Sequence, residues 1–127
     1  MIEKISTQSA PAAIGPYSQA ISVNGLLFTS GQIPLIPETG EMLLGDIRAQ
    51  TERVMQNLGA VLSAGKASFD SIIKTTCFLA DIKDFAAFNE IYAKYISSAP
   101  ARSCVAVKDL PRGALVEVEA VAEINAN

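Results

Sequence analysis

A strand with two apolar faces is predicted at Ile72-Ile73-Lys74-Thr75-Thr76-Cys77-Phe78-Leu79-Ala80. Successive side chains of a strand point to opposite faces of its sheet. The apolar members are Ile73, Cys77 and Leu79 on one face and Ile72, Phe78 and Ala80 on the other. Both faces of the sheet around this strand therefore require a cover.

Further elements are predicted on both sides of this strand. A β-hairpin is expected over residues 20–29, because Asn24-Gly25 suits a two-residue type I′ turn. Helices are expected over 46–64 and from Asp84, the predicted cap, to residue 95, since apolar residues recur there at helical spacing. A first short strand is possible over 2–6.

The chain is expected to end in two strands, 102–108 and 115–124, that pair as a hairpin through the loop between them. Right-handed crossovers then place both helices on one face of a single sheet. This is an α+β fold, with one domain over residues 1–127. No chain remains to cover the second face, so an identical subunit is the expected cover.

Composition narrows the possible chemistry. The 127 residues include no histidine, the commonest metal ligand and general base at neutral pH. Cys77 and Cys104 form no CxxC motif, so neither a zinc site nor a disulfide framework is expected. A net charge of −3 with scattered Lys and Arg argues against a nucleic-acid surface. No secretory signal or membrane-length apolar run is recognisable, and a cytoplasmic protein with reduced thiols is expected.

Arg102 is the first candidate functional residue, because its permanent charge lies among small and apolar neighbours. A partly buried arginine must be paired or must hold an anion. In the predicted hairpin, Arg102 faces Glu119 and lies diagonal to Glu117. Alternating glutamates on a strand are more typical of a solvated face, where an ion pair contributes about 0–1 kcal/mol. The alternative is a pocket where Arg102 grips a substrate carboxylate and Glu117 holds a water.

Three further positions have both a functional and a structural interpretation. Tyr17 follows Gly15-Pro16 and could form a lid or wall, although a loop tyrosine is more often packing. Ser30-Gly31 could offer a hydroxyl and a backbone N–H to an anion, or could simply end a strand. Cys104 has no histidine to activate it as a nucleophile, so its small side chain and backbone carbonyl are its expected contributions.

These residues belong to motifs that span nearly the whole chain and resemble the RidA/YjgF family of reactive-intermediate (enamine/imine) deaminases, also catalogued as L-PSP endoribonucleases. The motifs occur in the family's order and spacing. They are Ala13-Ile14-Gly15-Pro16-Tyr17-Ser18-Gln19-Ala20, Phe28-Thr29-Ser30-Gly31-Gln32, Phe88-Asn89-Glu90-Ile91-Tyr92, Pro100-Ala101-Arg102-Ser103-Cys104-Val105 and Leu115-Val116-Glu117-Val118-Glu119-Ala120.

The resemblance implies a chorismate-mutase-like two-layer fold, with one mixed sheet and both helices on one face. It implies a homotrimer whose sheets form a central barrel, with clefts between subunits. It also implies hydrolysis of 2-imino acids, which pyridoxal-phosphate-dependent dehydratases release, to 2-oxo acids and ammonia without a cofactor or metal. The implied catalytic residues are Arg102, which holds the substrate carboxylate, and Glu117, which orients a water. The implied substrate-binding residues are Tyr17, Ser30, Gly31, Asn89, Arg102 and Cys104.

Two other functions compete with deamination. A ribonuclease or translation inhibitor would need a basic groove, which this acidic chain lacks. A non-catalytic module could use Arg102 to sense carboxylate metabolites or to dock a partner, and the sequence does not distinguish it from an enzyme. Loss of Glu117 would separate the two, because only an enzyme has a rate to lose.

Overall fold

A computed structural model describes residues 1–125. Residues 126–127, the end of the predicted domain, lie outside the described residues. The elements in chain order are β1 (Glu3–Ile5), β2 (Ala20–Val23), β3 (Leu26–Thr29), α1 (Ile47–Ala64), β4 (Ile72–Leu79), α2 (Phe85–Tyr95), β5 (Ala101–Ala106) and β6 (Val116–Glu123). Short 3₁₀ turns lie at Phe69–Ser71, Ile82–Asp84 and Pro111–Gly113.

One six-stranded sheet has the order β1-β2-β3-β6-β4-β5. The pair β4–β5 is parallel and the remaining neighbours are antiparallel, so the sheet is mixed. Both helices pack on one face of this sheet. The predicted α+β class and two-layer architecture are therefore confirmed.

Local sequence signals account for several of these elements. The turn between β2 and β3 has positive φ at both Asn24 (52°) and Gly25 (77°), as a type I′ turn requires. Helix α1 begins after Asp46, whose side chain accepts a hydrogen bond from the Ala49 N–H at 3.0 Å. The expected cap of α2 is different, because the Asp84 side chain makes no capping bond and Asp81 instead caps the preceding turn.

The predicted C-terminal hairpin is wrong. β5 and β6 are not neighbours, because β6 lies between β3 and β4 while β5 forms the sheet edge beyond β4. Burial gives the physical reason. One face of β6 carries a continuous row of buried apolar residues, Val116, Val118, Ala120 and Ala122. A central position in the sheet buries this row. Most residues of β5 are exposed, as suits an edge strand.

The core lies between the helices and one face of the sheet. Leu27, Cys77, Leu79 and the buried row of β6 contact α1 and α2 there. Val54, Leu58, Val61 and Phe88 of the helices are fully buried. Burying such side chains contributes about 1.5–3 kcal/mol each before the entropic cost of ordering them.

The opposite face, here called the open face, carries exposed apolar side chains. Phe28 is 42% exposed and Val105 is 46% exposed. Register places Phe28 beside Val121, and Phe78 beside both Glu117 and Val105. The predicted strand with two apolar faces is therefore present in β4. Exposed apolar side chains gathered on one face commonly mark an interaction site.

The predicted alternation of β4 is corrected at two positions. Ile72 was expected to share a face with Phe78 and Ala80, but it is buried in the core with Cys77 and Leu79. Ile73 was expected to share a face with Cys77 and Leu79, which are fully buried, but it is 48% exposed. The pairing with β6 shifts register between Ile72 and Lys74. A β-bulge of this kind adds one residue and resets the alternation. Across residues 1–125, no helix combines the length and apolar character that crossing a membrane would need.

Candidate functional site

One cleft brings together four of the predicted site residues. Its volume is about 390 Å³, and its lining includes Tyr17, Ser30, Gly31 and Glu117. The chain leaves β3 at Ser30 and pairs again with β6 at Gln32, whose N–H donates to the Val118 carbonyl at 2.8 Å. This pairing holds Gly31 against the Glu117 side chain. Pro11, Ala12, Ile33, Leu35 and Pro111 give the cleft an apolar wall.

Gly31 and Glu117 are in unusually close contact. A Cβ atom at Gly31 would lie 1.9 Å from Glu117 Oε2 and 2.8 Å from its Cδ. The backbone of Gly31 is not left-handed, so conformational freedom does not explain the glycine. The absent side chain is what leaves room for the carboxylate.

Electrostatics favour the protonated form of Glu117 more than in an ordinary glutamate. Burial raises the pKa of the Glu117 carboxyl, and the negative charge of Glu119 on the same face of β6 raises it further. A carboxylate with a raised pKa takes a proton more readily, which suits a general base working near neutral pH. The predicted pairing of Glu119 with Arg102 is not present to offset this repulsion.

Ser30 differs from the expected anion-binding group. Its hydroxyl donates to the Ser18 carbonyl at 2.6 Å, and its N–H donates to the Gln19 carbonyl at 2.9 Å. Both donors are therefore already used to hold the segment that carries Tyr17. Tyr17 itself is 52% exposed and lines the cleft.

Gln19 is a structural support of this cleft that sequence reasoning missed. Its buried amide accepts from the Thr7 N–H at 2.7 Å and donates to the Pro11 carbonyl at 2.7 Å. These bonds fix the irregular segment that forms one wall of the cleft. Glutamine inside the quoted motif was the available signal, but the sequence does not reveal its distant hydrogen-bond partners.

Arg102 and Asn89 lie together in a second cleft of about 550 Å³. Arg102 Nη1 donates to Asn89 Oδ1 at 2.7 Å. The guanidinium carbon also lies 4.9 Å from the Tyr92 ring centre and 5.5 Å from that of Phe85. Within residues 1–125, the ion pairs are Arg48–Glu90 and Lys94–Glu52, so Arg102 has no carboxylate partner there.

The two clefts lie on opposite faces of the sheet. Arg102 pairs in register with Thr75, whose side chain is buried beneath α2. Glu117 pairs with Phe78, on the open face. Because β5 and β6 are separated by β4, the lateral offset is two strand spacings, about 10 Å. The expected contact of Arg102 with Glu117 and Glu119 within one chain is therefore wrong.

Cys104 accompanies Arg102 rather than Glu117. It pairs in register with Cys77 and is half-buried on the helix-covered face. Burial raises the pKa of the Cys104 thiol, and the nearby Arg102 only partly opposes this. The thiol therefore remains protonated at neutral pH and is a poor nucleophile.

The two clefts together offer a guanidinium without an ion-pair partner, a carboxylate with a raised pKa and an exposed phenol. In the described part of the chain, no three or more Cys, Asp and Glu side chains form a group that could hold a metal ion. Combined with the one-sided α+β sheet, these features describe a class of small proteins in which one chain carries a guanidinium and a carboxylate in separate clefts.

Comparisons with known proteins assign the class to a family. The sequence profile of the family described as Endoribonuclease L-PSP matches residues 7–124. Reactive Intermediate Deaminase A, chloroplastic, of Arabidopsis thaliana is 50% identical over 123 residues, which cover 96% of this chain and 66% of that protein. The 2-iminobutanoate/2-iminopropanoate deaminase of Mus musculus is 46% identical over 119 residues, covering 93% of this chain and 88% of that protein.

A solved structure agrees with these relatives. The crystal structure of RidA from the Antarctic bacterium Psychrobacter sp. superimposes with a TM-score of 0.92 at 40% identity, covering 96% of this chain and 99% of that chain. This chain belongs to the endoribonuclease L-PSP family. The resemblance to RidA/YjgF proteins that the motifs indicated is thereby confirmed.

Proposed function

We propose that this protein hydrolyses 2-imino acids to 2-oxo acids and ammonia. Relatives at 46–50% identity bear deaminase names, and the two clefts carry the groups that this reaction needs. The observation that carries the proposal is the separation of Arg102, a guanidinium free of carboxylates, from Glu117, a carboxylate with a raised pKa. Separation keeps the two charges from neutralising each other until a substrate bridges them.

The working site is proposed to form between subunits. Because a sheet separates Arg102 from Glu117 within one chain, a shared substrate requires Arg102 of one subunit and Glu117 of another. The exposed Phe28 and Val105 on the open face support burial of that face in a homotrimer, with the sheets forming a central barrel. A closed ring of this kind repeats the same heterologous contact and leaves no contact surface unused.

The proposed chemistry uses positioning and proton transfer. Arg102 forms a bidentate pair with the substrate carboxylate, and Glu117 accepts a proton from a water as that water attacks the imine carbon. Glu117 then returns the proton to the nitrogen of the carbinolamine, and the C–N bond breaks to release ammonia. As the C=O bond forms, the hydroxyl proton passes back to the Glu117 carboxylate, which releases it to solvent. An iminium is already electrophilic, so the reaction requires no metal or cofactor. A positioned base typically contributes about 10²–10⁴-fold to the rate.

Other residues have supporting roles in this proposal. Tyr17 and Gly31 line the Glu117 cleft, and Ser30 holds the Tyr17 segment. Asn89 orients Arg102 through its amide oxygen, and the Cys104 carbonyl is the proposed second acceptor for the water. The proposed source of the imines is pyridoxal-phosphate-dependent dehydratases, and the proposed location is the cytoplasm.

A dehydratase-coupled assay tests the proposal. Threonine dehydratase supplies 2-aminocrotonate, and decay of the imine is followed with and without this protein. Wild type should accelerate decay, while Arg102→Ala and Glu117→Ala should each lower the rate by about 10²-fold or more. Arg48→Ala is the matched control, since Arg48 pairs with Glu90 at an exposed position. Equal decay with wild type, Arg102→Ala and no protein would refute the proposal.

The same variants separate the two competing functions. A carboxylate-sensing module would bind 2-oxo acids through Arg102. Its wild-type form would not accelerate imine hydrolysis, so Glu117→Ala would leave the rate of imine decay unchanged. A ribonuclease, as the family description suggests, would bind RNA with a steep salt dependence. The net charge of −3 and the absence of histidine favour deamination over RNA cleavage.

A further inference from the structure

Arg102 is held in place by aromatic side chains of α2. Its guanidinium carbon lies 4.9 Å from the Tyr92 ring centre and 5.5 Å from that of Phe85. A cation over an aromatic face is attracted by the negative face of the ring. Nη1 donates a single hydrogen bond to Asn89 Oδ1, so the outer part of the guanidinium remains available for a ligand.

Tyr92 is in turn fixed by a buried hydroxyl of the sheet. Its phenol oxygen lies 2.8 Å from Thr75 Oγ1, and Thr75 is fully buried. Thr75 is also the register neighbour of Arg102 on the adjacent parallel strand. The Cys77 thiol donates a weak hydrogen bond to the same Thr75 hydroxyl, with Sγ 3.9 Å from Oγ1. A continuous chain of contacts therefore runs from the sheet interior through Tyr92 to the guanidinium.

The protonation state of Tyr92 supports this chain of contacts. Burial raises the pKa of the Tyr92 phenol, which outweighs the stabilising hydrogen bond from Thr75. The phenol is therefore neutral across the physiological range and keeps its hydrogen bond to Thr75. A neutral ring attracts the guanidinium without adding a negative charge that would compete with the substrate carboxylate.

We propose that Tyr92 and Thr75 are positioning residues for carboxylate binding: Thr75 fixes the Tyr92 ring, and the ring fixes the Arg102 guanidinium in its carboxylate-binding orientation. This inference rests on the proposed function, in which Arg102 binds the substrate carboxylate. Tyr92 lines the same cleft as Arg102, whereas Thr75 does not line it and acts only through Tyr92. An exposed arginine has many rotamers, and holding one of them before binding lowers the entropic cost of gripping a carboxylate.

Substitutions at both positions test the inference by separating KM from kcat. Tyr92→Leu removes the ring and should raise KM about five-fold, with kcat within about two-fold of wild type. Thr75→Val removes the hydroxyl at nearly constant shape and should raise KM about two- to three-fold, because the ring is then less constrained. Thr75→Ser keeps the hydroxyl and should restore the wild-type KM. The inhibition constant of 2-oxobutanoate should rise in parallel, since it shares the carboxylate.

Thermal unfolding of each variant separates positioning from folding. A purely structural role would lower the melting temperature and the active fraction, and would leave KM unchanged. Wild-type KM in both Tyr92→Leu and Thr75→Val would overturn the inference, as would a Thr75→Ser variant that behaves like Thr75→Val. The Thr75 pair decides the question even if Tyr92→Leu does not fold. Failure of wild type to accelerate imine decay would instead refute the proposed function.

Discussion

Gly31→Ala places a methyl group where the Glu117 carboxylate now lies. The new Cβ would be 1.9 Å from Oε2, whereas ordinary contacts begin at 3.4 Å. The carboxylate must therefore move by about 1.5 Å, which it can do because it is the end of a flexible side chain. The backbone of Gly31 accepts alanine without strain, so the fold should be nearly unaffected. A displacement of about 1 Å can cost 10²-fold in rate, and we expect kcat to fall about 10- to 100-fold.

The dehydratase-coupled assay measures this loss, with KM expected to change by less than about three-fold because Arg102 is untouched. Glu117→Gln is the matched reference, and the double variant Gly31→Ala/Glu117→Gln should be no slower than Glu117→Gln alone. Wild-type kcat in Gly31→Ala would refute the reasoning. So would a double variant in which the two losses multiply, because the methyl would then act on something other than Glu117.

Three further predictions concern pH, thiol reactivity and assembly. Activity should be lost as pH falls through the raised pKa of Glu117, so the acid limb of the kcat profile should lie above the ordinary glutamate pKa of about 4.3. Glu119→Gln removes the repelling charge and should move that limb to lower pH. A limb that does not move would contradict the role of Glu117 as the general base. Burial raises the pKa of the Cys77 thiol to about 12, so iodoacetamide at about pH 8 should alkylate it only after unfolding, as mass spectrometry of the folded and unfolded protein will show. If the proposed trimer buries the open face, Phe28→Asp or Val105→Asp should give smaller species than wild type in light scattering; an assembly that survives both changes would contradict burial of that face.

Local signals were sufficient to predict most elements of the fold. The positive φ at Asn24 and Gly25 follows from the short polar side chain of Asn24 and the absent Cβ of Gly25. Helix periodicity depends only on neighbours within two turns. The bulge at Ile73 was not predictable, because it depends on how β4 meets β6 along its whole length. Pairing partners of this kind are set by tertiary packing rather than by local pattern.

The same limit explains the errors at the candidate site. Within each strand the prediction was that Arg102 and Cys104 share one face, and that Glu117 and Glu119 share one face. Their relation across the sheet was wrong, because strands consecutive in the chain were assumed to pair. β6 is separated from β5 by β4, and the register of each strand with β4 places Arg102 and Glu117 on opposite faces. No pattern within either strand reports it.

Mixing of subunits tests the central claim most directly. Arg102→Ala and Glu117→Ala chains, each inactive alone, are co-expressed with different tags, and mixed oligomers are purified and assayed for imine hydrolysis. If each site combines Arg102 of one subunit with Glu117 of the next, every trimer that contains both chains has one intact site out of three, so the purified mixed oligomers should recover about one third of the wild-type rate. A rate no higher than that of either parent, in oligomers shown to contain both tags, would contradict a site shared between subunits.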